Sequence, residues 1–223
     1  MGRCDLTVIA IDGPAASGKS TLGMRLAEQL GFDFLDTGML YRAVTLLALD
    51  REVPPEEEPM HRLLEETDLE IVRGNPSRVL VNGTDVTDRL RLPKVERAVS
   101  AYSALPVVRQ WLLPVQRRFA EAGRAVIAGR DIGTVVLPHA PVKFFLEASA
   151  EARALRRSAQ AATWGLNQAP EEAASDIRLR DTLDSSRSVA PLRPAPDAIV
   201  IDTTDQSPDE VFERAWSVLR CAR

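Results

Sequence analysis

The chain has 223 residues, of which 45% are apolar and 27% charged, a composition typical of a single globular domain. Its formal net charge of −4 argues against broad nucleic-acid binding, which usually needs a basic surface. The sequence has neither an apolar run of about 18 residues nor a basic-then-apolar N-terminal pattern. We therefore expect a cytoplasmic protein with no membrane and no nucleic acid among its partners.

Short apolar segments alternate with helical patterns along the first 50 residues. Residues 6–11 (LTVIAI) are rich in β-branched residues and predict a buried strand. Residues 19–30 carry leucines at helical spacing and precede Gly31, which suits a helix end. A second strand is predicted at residues 32–35 and a helix from about 39 to 49. This order is typical of a βα series.

An antiparallel ribbon is predicted in the middle of the chain. The acidic run at residues 56–58 is either a solvated linker or a helix start. Residues 69–86 then alternate apolar and polar side chains around Gly-Asn-Pro and Asn-Gly turns, a pattern of paired antiparallel strands. Because such a ribbon interrupts the βα series, we expect it to form an inserted lobe.

Helices and buried strands resume after the ribbon. Helices are predicted at residues 92–105, 107–122 and 150–162, and strands at 125–128, 142–146 and 198–201. The polar segment around 165–172 has the composition of a mobile loop. Short buried strands that alternate with helices imply a parallel sheet covered on both faces, with ligands at its carboxyl edge.

The segment IDGPAASGKST, directly after the first strand, fits G-x-x-x-x-G-K-[ST]. In such a loop backbone N–H groups surround phosphate oxygens, the lysine reaches the β- and γ-phosphates, and the hydroxyl that follows it binds Mg²⁺. Only three of the 28 basic residues are lysines, and one of these stands here. A glycine-rich turn that matches by chance is the alternative. The predicted triphosphate-binding residues are Gly13, Pro14, Ala15, Ala16, Ser17, Gly18, Lys19, Ser20 and Thr21, with Ser20 also as the metal ligand.

Two further motifs follow strands at the same sheet edge. In DTGMLYR, Thr37 is placed to cap a helix, and Arg42 is placed to face an anion. Plain capping with a surface arginine is the alternative. In GRDIGT, Arg130 and Asp131 stand between glycines that leave room for a ligand. A surface turn with a local ion pair is the alternative.

A group of charged residues lies late in the chain, on and after the helix predicted at 150–162. Its members are Arg153, Arg156, Arg157, Arg178, Arg180, Asp184 and Arg187. Such a run is usually a solvated face, but guanidinium groups also suit the spread charge of a transferring phosphoryl group. The two cysteines and two histidines lie outside all of these motifs. Catalysis would then rest on positioning and charge neutralisation, which is what phosphoryl transfer requires.

Together these segments resemble the cytidylate kinases, a family of nucleoside monophosphate kinases. The matching segments run in family order from residue 11 to about 204: IDGPAASGKST, LDTGMLYRA, SALPVVR, GRDIGTVVLPHAPVKFFLEAS, RLRDTLDSSRSVAPL and DAIVIDTT. The phosphate loop alone is generic, whereas its combination with DTGMLYR, GRDIGT and the β-rich insert is specific. The resemblance implies an α/β P-loop kinase fold in one domain, residues 1–223. Its central parallel sheet would be flanked by helices, with an acceptor-binding insert at about 65–92 and a helical lid at about 150–172.

The same resemblance implies an activity. It is the ATP-dependent, in-line phosphorylation of CMP and dCMP to CDP and dCDP, with Mg²⁺ as the cofactor. ATP and CMP or dCMP would be the only partners of a monomer. Three alternatives differ from it. A kinase for another acceptor, such as UMP or shikimate, fits GRDIGT and Arg187 less well. A GTPase would need an Asn-Lys-x-Asp element, which this sequence lacks, and an inactive nucleotide-binding module would not need Lys19 or Arg130.

Residue roles carry over from the family by position. Arg42 and Arg130 resemble the pair that grips the acceptor phosphate, and Arg153 and Arg157 fall in the lid. The other implied acceptor-site residues are Ser100, Arg109, Asp131 and Arg187 for the base, Arg180 and Asp184 for the sugar, and Thr37 and Tyr41 lining the same site. The implied catalytic residues are Lys19, Arg130, Arg153, Arg157 and Arg180.

The chemistry of cytosine supports these roles, and the sequence differs from the family pattern at two positions. Cytosine must be met by a group that accepts from its amino group and by donors to O2 and N3, which suits Asp131 with Ser100 and Arg109. Many family members have an acidic residue where this chain has Ala128, which leaves Asp36 or Asp131 as the carboxylates that could support Mg²⁺. Thr37 replaces a common serine, a change we expect to be harmless.

Overall fold

A computed structural model describes residues 7–163, 169–185 and 190–221. Its strands are β1 Val8–Asp12, β2 Asp33–Asp36, β3 Leu69–Val72, β4 Arg78–Val81, β5 Thr84–Asp85, β6 Ala125–Gly129, β7 Val142–Glu147 and β8 Ile199–Asp202. Five of them form a parallel sheet in the order β2-β6-β1-β7-β8, and β3-β4-β5 form a separate antiparallel sheet. The predicted parallel sheet and the predicted ribbon are both confirmed.

The helices connect these strands. They are α1 Lys19–Leu30, α2 Gly38–Asp50, α3 Glu57–Glu65, α4 Pro93–Ala104, α5 Pro106–Glu121, α6 Ala150–Thr163, α7 Pro170–Ser185 and α8 Pro208–Cys221. A 3-10 turn at Thr87–Arg91 and a π-helical turn at Ile132–Val136 complete the described elements. None of the helices within the described ranges is long and apolar enough to cross a bilayer.

The inner strands β1, β6 and β7 of the central sheet are buried along nearly their whole length because their residues are mainly apolar. In β1, Val8 and Ala10 pack with α2 to α5 on one side, while Ile9 and Ile11 pack with α1 and α8 on the other. Successive side chains of a strand point to opposite faces, so β1, β2 and β6 contribute to both cores, while β7 and β8 contribute to the core formed with α1 and α8. The carboxyl ends of all five strands consequently meet at one edge, as expected for a ligand-binding α/β sheet.

Helix α3 agrees with one of the two alternatives left open for the acidic run, whereas α7 and α8 differ from the expectation. The acidic run at 56–58 begins α3, whose Met60 and Leu64 are one turn apart and buried. Residues 170–172, which we expected in a loop, are the first turn of α7; the structure does not describe residues 164–168. Helix α8 was not predicted from the sequence. It begins with a capping box between Ser207 and Glu210.

Candidate active site

A cleft of about 800 Å³ opens at the carboxyl edge of the central sheet. Its walls come from the loop between β1 and α1, the start of α2, helix α4, the turn after β6, and helices α6 and α7. Most of the predicted site residues line it: Ala15, Ala16, Ser17, Gly18, Lys19, Ser20, Thr21, Thr37, Tyr41, Arg42, Ser100, Arg109, Arg130, Asp131, Arg157 and Asp184. Segments from residue 15 to residue 211 of the chain contribute to this one cavity.

The loop between β1 and α1 depends on glycine at its start. Gly13 has φ +145°, and a Cβ added there would lie 2.2 Å from the carbonyl oxygen of Leu146 at the end of β7. Gly18 caps α1 with φ +97°, and Ala16 also has positive φ. The loop is thus held in a conformation that keeps the N-terminus of α1 directed into the cleft.

We expect Gly13→Ala to lower the free energy of unfolding by about 3 kcal/mol, because it adds a steric clash to an unfavourable backbone conformation. Gly123→Ala is the matched control. Gly123 also has positive φ (+71°) but nothing within 4 Å of an added Cβ, so only the backbone cost of about 1 kcal/mol should appear. Urea denaturation of both variants would measure the difference. Equal losses would contradict the close contact with β7.

Lys19 and Ser20 lie side by side at the start of α1. The Lys19 ammonium donates to the carbonyl oxygen of Pro14 at 2.6 Å, across the loop. Burial, together with the neighbouring Arg130, lowers the pKa of Lys19 to about 7. The Ser20 hydroxyl donates to Asp36 Oδ2 at 2.8 Å, which brings a carboxylate from the end of β2 to the phosphate loop.

The start of α2 is capped by Asp36 and not by Thr37, so the predicted capping role of Thr37 is wrong. Asp36 Oδ1 accepts from the N–H of Gly38 at 3.0 Å. The Thr37 hydroxyl instead donates to the carbonyl oxygen of Ala128 at 3.0 Å, which the adjacent end of β6 presents to it. Of the carboxylates considered for Mg²⁺, Asp36 is the one hydrogen-bonded to Ser20.

Arg130 connects the phosphate loop to the helical side of the cleft. One terminal nitrogen donates to the carbonyl oxygen of Gly13 at 2.7 Å, and Nε pairs with Asp184 Oδ2 on α7 at 2.8 Å. The side chain of Arg130 is half-buried, and that of Asp184 is only 7% exposed. The guanidinium of Arg130 is therefore held by two partners and lies beside the loop.

Asp12 holds the turn that carries Arg130 and Asp131. Its two oxygens accept from the N–H groups of Ile132 and Gly133, each at 2.7 Å. Burial raises the pKa of Asp12 to about 6, although both hydrogen bonds favour the ionised form. No role was predicted for Asp12. The feature of the sequence that could have indicated one is a charged residue at the end of an otherwise apolar strand.

Arg109 on α5 and Asp131 after β6 form a buried ion pair in the cleft. Arg109 Nη2 lies 2.6 Å from Asp131 Oδ2, and each side chain is 7% exposed. The guanidinium also lies 5.4 Å from the ring centroid of Tyr41 and donates to the carbonyl oxygen of Ser103. These contacts fix the pair, and both residues line the cleft.

Glu96 on α4 is a site residue that the sequence analysis missed. Its two carboxylate oxygens pair with Arg42 and Arg157, each at 2.6 Å. A sequence signal existed, because Glu96 lies one turn before Ser100 and on the same face of the helix. If Ser100 faces the cleft, Glu96 must face it too, so the position of Glu96 could have been inferred from that of Ser100.

The two other arginines of α6 lie differently from Arg157. Arg153, a predicted catalytic residue, is buried and pairs through both terminal nitrogens with Asp181 on α7, while it approaches the carbonyl oxygen of Ala15 at 3.5 Å. Arg156, which was not among the predicted site residues, lines the cleft and donates to Thr203 after β8. The side chain of Arg180 and all of Arg187 lie outside the described residues.

The phosphate loop, the cationic side chains around it and the parallel sheet define a P-loop phosphotransferase. The family model described as cytidylate kinase matches residues 9–220, and the chain belongs to the cytidylate kinase family. It is 46% identical over 213 residues to a cytidylate kinase of Carboxydothermus hydrogenoformans, covering 95% of this chain and 96% of that protein.

Further comparisons agree in sequence and in fold. A cytidylate kinase of Geobacillus kaustophilus is 47% identical over 213 residues, which cover 95% of each chain. Among solved structures, an uncharacterized protein from Eubacterium ventriosum superposes with a TM-score of 0.51 at 12% identity, over 96% of this chain and 98% of that one. The structural likeness concerns the fold alone.

Proposed function

We propose that this protein transfers the γ-phosphoryl group of ATP in line to the phosphate of CMP or dCMP, giving ADP and CDP or dCDP. One observation carries the proposal. The cleft that contains the phosphate loop also contains two further arginines near that loop, Arg42 and Arg130, and the buried Arg109–Asp131 pair. A donor polyphosphate, an acceptor phosphate and a polar base thus each have suitable partners in one cavity.

On the donor side, residues 13–21 would hold the ATP phosphates through backbone N–H groups, with Lys19 at the β- and γ-phosphates. The Ser20 hydroxyl and Asp36 offer two oxygens at the same place, 2.8 Å apart. The described residues contain no group of three or more His, Cys, Asp or Glu side chains that could hold a metal alone. This donor set fits Mg²⁺, which usually keeps several waters and binds through substrate phosphates. Bound there, the ion would neutralise charge on the transferring group.

On the acceptor side, Arg42 and Arg130 would bind the α-phosphate of CMP. Asp131, held by Arg109, would accept from the cytosine amino group, with Ser100 nearby on α4. Asp184, with Thr37 and Tyr41, would line the sugar end, and Arg180 and Arg187 would complete the site. The supporting observation is that eight of these residues line the cleft: Thr37, Tyr41, Arg42, Ser100, Arg109, Arg130, Asp131 and Asp184.

No general base is needed for this reaction. A phosphate monoester has its second pKa near 6, so the acceptor is largely a dianion at neutral pH and its oxygen can attack directly. As the new P–O bond forms, the bond between the γ-phosphorus and the bridging oxygen breaks, and ADP leaves. Arg130, with the lid residues Arg153 and Arg157, would hold the equatorial charge and exclude water.

We further propose a cytoplasmic monomer, with α6 and part of α7 as the lid and the β3-β4-β5 ribbon as the acceptor lobe. One chain supplies every group named above, so a second copy is not required. A cytoplasmic location agrees with where ATP and nucleoside monophosphates are consumed and regenerated.

Steady-state rates for CMP, dCMP, UMP and AMP at saturating MgATP test the proposal. We expect kcat/KM for CMP or dCMP to exceed that for AMP at least about 100-fold, because a site built from buried polar groups rejects a mismatched base strongly. Rates for UMP or AMP equal to that for CMP would overturn the base assignment. Absence of turnover with all four acceptors would overturn the proposed activity.

A further inference from the structure

Glu96 joins the two sides of the cleft through a single buried carboxylate. Its side chain is 9% exposed; Oε1 accepts from Arg42 Nε, and Oε2 accepts from Arg157 Nη2. Arg42 belongs to α2, in the proposed acceptor site, whereas Arg157 belongs to α6, in the proposed lid. One side chain therefore contacts both substrate-binding regions.

Arg42 contacts Glu96 through Nε. This contact leaves the terminal nitrogen Nη1 of the guanidinium directed toward the phosphate loop. A Cβ added to Gly38 would lie 2.7 Å from Arg42 Nη1 and 2.9 Å from Asp36 Oδ1, so the end of the guanidinium lies at the start of α2 beside Asp36. Asp36 in turn accepts from Ser20 in the loop. Glu96 thus fixes a flexible side chain in the orientation that a phosphate between the two sites requires.

The charges make this arrangement depend on the carboxylate. Arg42 and Arg157 are 22% and 17% exposed, and two half-buried guanidiniums around the same point repel each other. A carboxylate between them converts this repulsion into two short, charge-assisted hydrogen bonds. Loss of the negative charge would therefore favour separation of α6 from the acceptor side.

We propose that Glu96 is a positioning residue that couples the two nucleotide sites. Because Glu96 holds Arg42 and Arg157 at the same time, an acceptor that binds Arg42 in this orientation also favours the position of α6 in which Arg157 reaches Glu96, over the donor. By thermodynamic reciprocity each nucleotide then binds more tightly when the other is present, by the same factor. This inference depends on the proposed function, which supplies the two nucleotides.

The test is the Kd of CMP, measured by calorimetry with and without saturating Mg²⁺ and a non-hydrolysable ATP analogue. We expect the wild-type Kd to be about 10-fold lower with the analogue present. In Glu96→Gln the single amide oxygen can accept from only one of the two arginines in this way, and the amide nitrogen can accept from neither, so the link between them is broken. The ratio of the two Kd values should then fall to about 1.

A matched control makes the same change in an ion pair outside the cleft. Asp33 pairs with Arg73 at 2.7 Å and is about one-third exposed, so Asp33→Asn should keep the wild-type ratio. Arg157→Gln breaks the same contact from the lid side and carries the test if Glu96→Gln does not fold. The variant that combines Glu96→Gln with Arg157→Gln should have the same ratio of Kd values as Arg157→Gln alone, because both substitutions break the same contact.

The outcomes separate the inference from the proposed function. A wild-type protein that does not bind CMP would overturn the proposed function. A wild-type protein that binds CMP with no change on adding the analogue would overturn the coupling alone. An undiminished ratio in Glu96→Gln, or in Arg157→Gln where the first variant does not fold, would also overturn it.

Discussion

Lys19→Ala should lower kcat/KM for the phosphorylation of CMP at least about 1,000-fold, because it removes the ammonium that meets the β- and γ-phosphates. The stability of the ligand-free protein should not fall in parallel. Because the pKa of Lys19 in the folded protein is lowered from its ordinary value to about 7, keeping its ammonium charged costs folding free energy, and this cost is fully present below about pH 7. Alanine removes this cost, so the variant should melt no lower than the wild type at pH 6. A coupled assay and thermal melting measure the two effects.

The control for this prediction is another lysine paired with a carboxylate. Lys94 contacts Asp50 at 2.7 Å and is half-exposed, away from the phosphate loop. Lys94→Ala should retain nearly all the activity, because an exposed pair of this kind contributes little. If Lys19→Ala kept more than one tenth of the wild-type kcat/KM, the proposed role of the phosphate loop would be wrong.

The central sheet could be predicted from the sequence because its strands are short, apolar and separated by amphipathic helices. The bounds of α1 were also predictable, since Gly31 ends it in a left-handed conformation at φ +65°. Helices α3 and α8 were harder to predict from the sequence. Each buries only a few apolar residues at one-turn spacing, such as Val211, Ala215 and Leu219 in α8, among many charged ones.

The site residues that the sequence indicated are those carried by local motifs. Gly13 to Ser20 and Arg130 with Asp131 occur in compact segments whose chemistry is legible from spacing alone. The partners of these residues are not local. Glu96 is 54 residues from Arg42 and 61 from Arg157, and Asp12 is 120 residues from Ile132. Contacts over such distances depend on the topology, which a single sequence does not specify.

The error at Thr37 has the same origin. A threonine before a helix is a good cap by residue type, but the end of β6 places the carbonyl oxygen of Ala128 within reach of both its hydroxyl and its N–H. Asp36, one residue earlier, then caps the helix and accepts from Ser20 as well. The Thr37 hydroxyl could bond either to the start of its own helix or to the neighbouring strand β6. It bonds to β6, so the tertiary contact prevails over the capping propensity of the residue.

Asp131→Asn should lower kcat/KM for CMP about 100- to 1,000-fold and that for UMP less than about threefold. The amide keeps the shape of the side chain but presents an N–H₂ group toward the cytosine amino group or toward Arg109. The buried Arg109 also loses the countercharge that lies 2.6 Å away in the wild type, an effect that both acceptors share and that accounts for the smaller loss expected with UMP. Rates with both acceptors at saturating MgATP give the selectivity directly.

The two acceptors separate base recognition from a general loss of the site. Asp197→Asn is the matched control, since Asp197 pairs with Lys143 at 2.7 Å outside the cleft and its loss should change neither rate. Equal losses for CMP and UMP would mean that Asp131 serves only to hold Arg109 and the turn after β6. A loss confined to CMP would place the carboxylate at the part of the base that differs between the two acceptors, which is the C4 amino group of cytosine with the adjacent N3.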